Sequence, residues 1–434
     1  MQKLLIKNAL VIDPSGKIER ILDVLVRNGR VIRLADKIGC RIQESARVYD
    51  AAGKWLIPGA IDMHVHAREP GGEESETIFT ASRAAAAGGI CSFLAMPNTE
   101  PAMDSPGILK QALKTAGKKT FVNVFFAGAI TEKRMGEKLA DIKGLVSAGA
   151  AAVTDDGSCV ADSKLLEKAL MIAKNLGIPV LEHCEDFELS AGGVINKGKI
   201  SGLKKLPGIP EEAEISISKR DVLLSRSCGA RLHIQHVSCG ETARIVRAAK
   251  KSGIPVTAET CPHYFTLDEN CLSTLDSNFK MKPPLRTEAD VREIKKAIGD
   301  GTIDVIASDH APHSRTKKAL GILKSPFGII GLETLVPLVL TKLVHPGIIT
   351  KSRMVELISL NPAKILNLKT KGRLKPGMDA DITIIDPNAE FTVSGNFYSK
   401  SGNSPFIGMK MKGRPVSTIV GGKFVFKDGR IPYY

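Results

Sequence analysis

The sequence predicts an α/β protein whose main body is a (β/α)8 TIM-like barrel, with a small composite β-sandwich domain assembled from both termini. Short apolar runs alternate eight times with helix-like segments between residues 56 and 364, which is typical of a (β/α)8 barrel. Both ends of the chain are instead rich in short strands and tight turns. A doubly wound open sheet is the structural alternative, but no Gly-x-Gly-x-x-Gly turn follows an early strand.

The barrel strands are predicted from short apolar runs, and the helices between them from longer segments with helical periodicity. The helix-like segments include 75–87, 163–176, 214–228, 242–251 and 289–298. The eight predicted strands are 57–64, 91–96, 122–127, 151–154, 179–182, 232–237, 255–260 and 304–307.

The two ends of the chain share the same pattern of short apolar strands and tight turns, and neither end is long enough to form its own core. Asn28-Gly29 is a hairpin turn between short strands near the start, and Gly421-Gly422 is a similar turn near the end. We therefore expect one small β-domain built from residues 1–55 and 365–434, with the barrel, residues 56–364, inserted between the two parts.

Composition excludes several classes of protein. The net charge is +15, but the basic residues are scattered, short clusters such as 369–375 are rare, and aromatic residues make up only 5%. We therefore expect no nucleic-acid binding, and a basic surface that attracts a small anionic substrate. The eight cysteines form no Cys-x-x-Cys pair, which favours the reducing cytoplasm. The start of the chain has no apolar signal core, and Glu333, Pro337 and Lys342 interrupt the apolar segment 332–344. We expect no membrane span.

Polar residues collect where the predicted strands end, which is where barrel enzymes carry their chemistry. Six of the nine histidines lie there. The residues concerned are His64, His66 and Arg68 after strand one, Asn98 after strand two, Asp155 and Asp156 after strand four, His183 after strand five, His236 after strand six, and Asp309, His310 and His313 after strand eight.

Each of these residues has an ordinary structural alternative. His183 and His236 could be buried core histidines, Asp309 a helix cap, and Asp155 and Asp156 parts of a turn. A metal site explains them together, because His-x-His on a strand points both rings to one side. Nitrogen and oxygen ligands favour Zn²⁺, although Mn²⁺ or Co²⁺ also fit. The pattern therefore predicts metal-assisted hydrolysis of an amide or related bond.

The motifs taken together resemble those of the class I dihydroorotases, which belong to the amidohydrolase superfamily. The resemblance extends over essentially the whole chain. Its motifs are Asp62-Met63-His64-Val65-His66-Ala67-Arg68-Glu69-Pro70-Gly71, Met96-Pro97-Asn98-Thr99, Thr154-Asp155-Asp156-Gly157, Gln235-His236-Val237-Ser238, Ser308-Asp309-His310-Ala311-Pro312-His313 and Ser325-Pro326-Phe327-Gly328. It implies zinc-dependent, reversible hydrolysis of L-dihydroorotate to N-carbamoyl-L-aspartate, the third step of de novo pyrimidine biosynthesis.

The resemblance also implies a set of metal ligands. His64, His66 and Asp309 would hold one Zn²⁺, His183 and His236 a second, and Asp156 and a hydroxide would bridge the two ions. Asp309 would also act as general base and acid, with the hydroxide as nucleophile. Strand alternation alone does not choose between Asp155 and Asp156 as the bridge, because it says only that the two point to opposite sides.

The substrate contacts are implied in the same way. Arg68 and Asn98 would bind the substrate carboxylate with His313, and a guanidinium suits a planar anion. Asn278, Phe327 and Gly328 would contact the ring, the last two through their backbone. The other histidines, His233, His263 and His345, are interpreted as structural.

Two alternatives to this function differ in class. A hydantoinase, dihydropyrimidinase or allantoinase would act on a related ring, but such enzymes usually bridge their metals with a carboxylated lysine and need no partner for a ring carboxylate. A non-catalytic partner of aspartate transcarbamoylase would be expected to have lost metal ligands, whereas this chain keeps every candidate. An association with aspartate transcarbamoylase and a homo-oligomeric state are further expectations.

Overall fold

A computed structural model describes residues 3–39 and 46–432. Most of the strands are short and buried, and they belong to two large sheets and one small pair. The strands are β1 Lys3–Asp13, β2 Ile18–Arg27, β3 Arg30–Ala35, β4 Arg47–Asp50, β5 Trp55–Pro58, β6 Ala60–Val65, β7 Ile90–Ala95, β8 Asn123–Gly128, β9 Ala152–Val153, β10 Val180–Glu182, β11 Ile195–Asn196, β12 Gly208–Ile209, β13 Leu232–Ile234, β14 Val256–Thr260, β15 Val305–Ile306, β16 Ile382–Thr392, β17 Lys410–Val420 and β18 Lys423–Lys427.

Helices follow most of the barrel strands. The α-helices are α1 Ile78–Ala87, α2 Pro106–Lys119, α3 Ile142–Ala148, α4 Ser163–Leu176, α5 Phe187–Ser190, α6 Lys199–Lys204, α7 Glu212–Cys228, α8 Gly240–Lys251, α9 Glu288–Gly299, α10 Arg315–Lys318, α11 Gly321–Lys324, α12 Leu335–Val339, α13 Lys351–Val355 and α14 Asn361–Ile365. Wider π-helical turns, Leu340–Val344 and Glu356–Leu360, continue α12 and α13. Within the described residues, none of these helices has the length and apolar character needed to cross a membrane.

Eight parallel strands form the barrel, in the order β15-β14-β13-β10-β9-β8-β7-β6. The first and last strands meet just beyond β15, where Val65 pairs with His310 in a parallel bridge. The His66 N–H donates to the His310 carbonyl at 2.8 Å, so the ring is nearly closed. All eight strands come from the predicted runs, and the predicted fold class is confirmed. The carboxyl ends of the strands therefore meet at one face.

Both termini build the second large sheet, whose order is β18-β17-β16-β5-β1-β2-β3, with β4 paired to β1. The turn after β2 lies against the turn after β17, because a Cβ added to Gly29 would lie 3.1 Å from the Gly421 carbonyl oxygen. One apolar core fills the space between the halves, with members from β1, β2, β16, β17 and β18. Residues from the two ends of the chain thus share a single core.

The start of the barrel differs from the prediction. The predicted strand 57–64 is divided at Gly59, and its first part belongs to β5, which pairs with β1 and β16 in the terminal sheet. The sequence does not reveal this division because both parts are mostly apolar and almost all of their residues are buried. The division of the chain at residues 55 and 364 stays a proposal.

The terminal sheet is fixed tightly to the barrel beside β7. Thr383 of β16 donates its hydroxyl to the Gly89 carbonyl at 2.6 Å. Gly89 has φ +82°, and a Cβ there would lie 2.6 Å from Cγ of Pro415 and 2.8 Å from Cγ2 of Thr383. Only glycine fits this contact, because it tolerates the left-handed conformation and leaves room for β16 and β17.

Replacing Gly89 by alanine should therefore loosen the junction. Gly253→Ala is the matched control, because Gly253 also has a positive φ, +71°, but its Cβ would meet open space. We expect Gly89→Ala to cost about 1–3 kcal/mol more than the control, as an overpacked contact does. The midpoint of urea unfolding measures the difference. Equal losses in the two variants would contradict the tight junction.

Candidate metal centre

The buried polar residues that follow the barrel strands converge at the carboxyl-terminal face. Two groups of three residues offer ligand atoms that lie within 4.8 Å of one another. One group is His64, His66 and Asp156, and the other is Asp156, His183 and His236. Asp156 belongs to both groups. The geometry therefore has two adjacent metal-binding positions that share one carboxylate.

In the first group, hydrogen bonds fix the direction of both rings. Nδ1 of His64 lies 2.6 Å from Oε1 of Glu259, and Nδ1 of His66 lies 2.8 Å from Oδ1 of Asn98. Each oxygen accepts the Nδ1 proton, so Nε2 keeps its lone pair and faces the centre. Nε2 of His64 is 3.2 Å from Oδ1 of Asp156, and Nε2 of His66 is 3.4 Å from Oδ2. A partner that holds the other nitrogen is the usual arrangement behind a metal-binding histidine.

In the second group, His183 turns Nδ1 toward Asp156, whereas both histidines of the first group turn Nε2 toward it. Nε2 of His183 donates to Oε2 of Glu185 at 2.8 Å, which leaves Nδ1 toward Asp156. Nδ1 of His183 and Nε2 of His236 are 2.8 Å apart, and each lies 3.6 Å from Oδ1 of Asp156. Glu185 also pairs with Lys282 at 2.9 Å. Burial opposes the charged imidazole, but Asp156 and Glu185 outweigh it and raise the pKa of His183 to about 9.

The two neighbouring aspartates of strand four have separate roles. The Asp155 carboxylate accepts hydrogen bonds from the backbone N–H groups of Ile130 and Thr131, at 2.8 and 3.1 Å. It therefore fixes the end of the preceding barrel loop. Asp156 instead faces the histidines. Burial alone would raise the pKa of the Asp156 carboxyl, but His64 and its other histidine partners hold it well below the ordinary value.

Asp309 lies beside the first group. Its Oδ1 is 3.1 Å from Nε2 of His66 and 3.5 Å from Nε2 of His64. Burial would raise the pKa of the Asp309 carboxyl, but the neighbouring histidines outweigh burial and lower it. Asp309 and His236 both have positive φ, +45° and +31°. Non-glycine residues adopt this conformation rarely, and such strain is often found at functional sites.

The donor set fits a divalent cation. Nε2 of His64 is buried and has no hydrogen-bond partner among the described residues. It nevertheless faces two carboxylate oxygens, and a lone pair facing carboxylates is unfavourable unless a cation lies between them. Burial lowers the pKa of His64, but Asp156, Asp309 and Glu259 outweigh it and raise the pKa well above the ordinary value. The site therefore favours positive charge at this position. Imidazole and carboxylate ligands suit zinc and similar metals.

A cavity of about 360 Å³ opens above the two groups. Most of the lining residues are polar or charged, and Phe327 contributes a phenyl ring. The lining residues are His66, Arg68, Asn98, Asp156, Gly157, His183, His236, Lys282, Asp309, Ala311, His313, Pro326, Phe327 and Gly328. The cavity has the size of a small-molecule site.

Among the predicted substrate contacts, Arg68, Asn98 and His313 line this cavity. Burial lowers the pKa of Arg68 to about 10, so its guanidinium stays charged at neutral pH. Nε2 of His313 lies 2.7 Å from the Phe327 carbonyl, which can only accept, so the ring donates there. Burial and the charge of Arg68 lower the pKa of His313 to about 3. His313 is therefore neutral, and its Nε2 proton is already used.

The predicted ring contacts are placed less directly. Gly328 donates its N–H to the Lys280 carbonyl at 3.0 Å, and its own carbonyl accepts from Lys318 and Asn403. Asn278 lies in a short helical turn outside the cavity lining, and its N–H donates to Asp276. Ring recognition by Asn278 and by the backbone of Phe327 and Gly328 stays a prediction.

Sequence reasoning missed several residues that support the centre. Glu259 is the next-to-last residue of strand β14, where the sequence pattern indicated no role for it beyond the strand. It joins two histidines, because Oε1 holds His64 and Oε2 lies 3.1 Å from Nε2 of His233. Burial raises the pKa of Glu259, but these histidines outweigh it and lower the pKa to about 2. The sequence feature that could have predicted a role for Glu259 is its position near the end of the predicted strand 255–260, since the other site residues also lie near strand ends.

Of the histidines interpreted as structural, His233 is thus a buried partner of Glu259. His263 is also buried, and its Nε2 has no hydrogen-bond partner among the described residues. Burial lowers the pKa of His263 to about 3, so the ring is neutral. It packs edge-on against Tyr264 with ring centroids 4.1 Å apart. Neither ring belongs to the two ligand groups.

Comparison with known proteins identifies relatives over almost the whole chain. The amidohydrolase family model matches residues 55–425. A curated protein of Pelotomaculum thermopropionicum named dihydroorotase is 46% identical over 428 residues, which cover 98% of this chain and 99% of that relative. The dihydroorotase of Elusimicrobium minutum is 46% identical over 430 residues and covers 99% of each chain.

Solved structures share the same fold. L-hydantoinase from Arthrobacter aurescens superimposes with a TM-score of 0.89 at 25% identity, covering 100% of this chain and 98% of its own. A dihydropyrimidinase from Brevibacillus agri gives a TM-score of 0.85 at 27% identity, covering 99% and 96%. The chain therefore belongs to the amidohydrolase family, and its curated relatives group it with the dihydroorotases of that family.

Proposed function

We propose that this protein is a dihydroorotase, which hydrolyses L-dihydroorotate reversibly to N-carbamoyl-L-aspartate. One observation carries the proposal. The charged guanidinium of Arg68 lines the same cavity as residues of the two adjacent metal-binding groups. A hydrolytic centre and a fixed cation for a ring carboxylate are what this substrate requires. Curated relatives of that name, 46% identical over nearly the full chain, support the same function.

The metal is proposed to be zinc, with two ions per chain. His64, His66 and Asp309 would hold one ion, His183 and His236 the other, and Asp156 would contact both. A bound divalent cation supplies two effects here, because it lowers the pKa of water and polarises the carbonyl under attack. Hydrogen bonds to Glu259, Asn98 and Glu185 fix the ring orientations of His64, His66 and His183, respectively.

Asp309 is proposed as the residue that moves the proton. Its carboxylate lies in the cavity wall beside His64 and His66, a position from which it can accept a proton from the attacking water. In hydrolysis it would return this proton to the ring nitrogen as the amide bond breaks. In the reverse direction it would take the proton from that nitrogen. Asp309 lines the cavity, and this position supports the proposed role.

Arg68 and Asn98 are proposed to bind the substrate carboxylate. The Asn98 Oδ1 is occupied by His66, so the amide N–H groups remain as donors toward the cavity. Nε of Arg68 donates a hydrogen bond to the Pro312 carbonyl at 3.3 Å, and this bond helps to orient the guanidinium within the cavity. Hydrogen bonds from Arg68 and Asn98 to the substrate carboxylate would orient the ring so that one ring carbonyl faces the two ligand groups. Asn98 thus connects carboxylate binding to the position of His66.

A hydantoinase or dihydropyrimidinase is the alternative function, since solved structures of such enzymes superimpose closely on this chain. Their substrates carry no ring carboxylate, so the Arg68 guanidinium and the amide N–H groups of Asn98 would have no carboxylate to bind there. Sequence identity also separates the two groups, at 46% with the dihydroorotase and 25% with the hydantoinase. We therefore favour the charged ring.

Replacing Arg68 by methionine tests carboxylate recognition. Removing one partner of a buried charge pair costs about 2–5 kcal/mol, so kcat/KM for dihydroorotate should fall by about 30- to 5,000-fold, mainly through KM. Arg315→Met is the control, because Arg315 is an exposed arginine near the same face. Steady-state kinetics with both variants measures the effect. An unchanged KM in Arg68→Met would remove carboxylate binding by this residue.

Replacing Glu259 by glutamine tests how His64 is held. The neutral amide binds the Nδ1 proton more weakly, so His64 becomes a poorer ligand. Comparable changes behind a metal ligand cost about 10- to 100-fold in metal affinity. Competition with a chromophoric chelator measures zinc affinity in Glu259→Gln and in Glu241→Gln, an exposed control whose partner is Arg244. Equal affinities in the two variants would show that Glu259 does not support the metal.

The cytoplasmic location, a homo-oligomeric state and an association with aspartate transcarbamoylase stay proposals that rest on the family resemblance. Light scattering of the purified protein measures the number of chains in one particle. Adding aspartate transcarbamoylase to the same experiment detects a joint particle, and separate elution would contradict the association.

A further inference from the structure

Two buried lysines lie behind the cavity, and the mechanism does not use them. Lys280 is 2% exposed and Lys318 is 5% exposed. Both hold the segment 325–328, whose residues Pro326, Phe327 and Gly328 form one wall of the cavity. We call Lys280 and Lys318 the lysine pair.

The contacts of Lys318 are all with backbone carbonyl oxygens. Its Nζ lies 3.1 Å from the Pro326 carbonyl, 3.1 Å from the Gly328 carbonyl and 3.3 Å from the Lys280 carbonyl. An ammonium group has three N–H donors, which matches these three acceptors. Lys318 therefore connects the cavity wall to the segment around residue 280.

Lys280 holds the other end of the same segment. Its Nζ donates to the Ser325 carbonyl at 2.7 Å and to the Leu323 carbonyl at 3.2 Å. The ammonium also lies 4.6 Å from the centroid of the Phe327 ring, within the range of a cation–π contact. The Gly328 N–H in turn donates to the Lys280 carbonyl. The lysine pair thus contacts every residue from 325 to 328.

Burying these cations is costly. Burial lowers the pKa of Lys280 to about 8, and burial together with the charge of Lys280 lowers the pKa of Lys318 to about 7, while Asp276 opposes the shift. A buried charge is tolerated only when hydrogen bonds replace its water. The carbonyl groups of the segment supply these bonds, so opening the segment would leave the lysines without partners.

We propose that Lys280 and Lys318 are positioning residues for the substrate, holding segment 325–328 in the shape that lines the cavity. This inference rests on the proposed function for its substrate, and it assigns to the pair a role in binding rather than in the chemical step. Phe327 also accepts the His313 hydrogen bond, so the position of the segment determines where His313 lies. The pair therefore acts on both the ring wall and the carboxylate end of the cavity.

The test uses Lys318→Met, Lys280→Met and a matched control, Lys324→Met. Lys324 is an exposed lysine in the same part of the chain. With dihydroorotate as the substrate, each buried variant should raise KM by about tenfold, the cost of one lost charged hydrogen bond, with kcat nearly unchanged. The control should keep the KM of the unmodified protein. A fall in kcat with an unchanged KM would overturn the positioning role.

Amide hydrogen exchange tests the same proposal without substrate or turnover. Peptides covering residues 325–334 should exchange faster in each buried variant than in Lys324→Met, while peptides from β6 and β13 keep their protection. Unchanged exchange in both Lys318→Met and Lys280→Met would overturn the proposal. Absence of dihydroorotate turnover in the unmodified protein would refute the proposed function. Hydrogen exchange does not require activity, so it would still decide whether the lysine pair holds the segment.

Discussion

The carboxylate of Asp156 is the constraint on which the rest of the site depends. Ring nitrogens of His64, His66, His183 and His236 lie 3.2, 3.4, 3.6 and 3.6 Å from its oxygens. These rings come from three separate strands, so the barrel must close accurately to bring them together. A buried carboxylate is unfavourable without positive partners, and the same is true of lone pairs turned toward it. A cation at this point satisfies both demands, which is why the geometry and the family agree on a metal.

Local patterns allowed much of this site to be predicted from the sequence. Strand alternation places His64 and His66 on one side, and their ring centroids are indeed 5.2 Å apart. The alternation of strands and helices predicted the barrel, and the barrel predicted that residues after different strands would meet. No knowledge of distant contacts was needed for these steps. The family resemblance then proposed which carboxylate bridges, and the Asp155 hydrogen bonds to Ile130 and Thr131 explain why its neighbour is free to do so.

Contacts between distant segments could not be predicted in the same way. Glu259 and His233 each resembled a strand residue, and only the pairing of β13 with β14 shows that they meet behind His64. The burial of Lys280 and Lys318 could not be predicted from the sequence, because a buried lysine has no local sequence pattern of its own. The division at Gly59 was missed for a related reason, since an apolar run does not reveal which of two sheets it joins. The supporting layer of the site is therefore a tertiary property, whereas its ligands follow the strand ends.

Turnover of L-dihydroorotate, measured beside hydantoin and dihydrouracil, tests both the proposed substrate and the proposed metal centre. The same assay is repeated after a chelator has removed metal and again after Zn²⁺ has been returned. We expect turnover of dihydroorotate with strong preference over both uncharged rings, loss of that turnover on chelation, and recovery with zinc. Preference for an uncharged ring would contradict the role of Arg68. Turnover that survives complete removal of metal would contradict the centre built around Asp156.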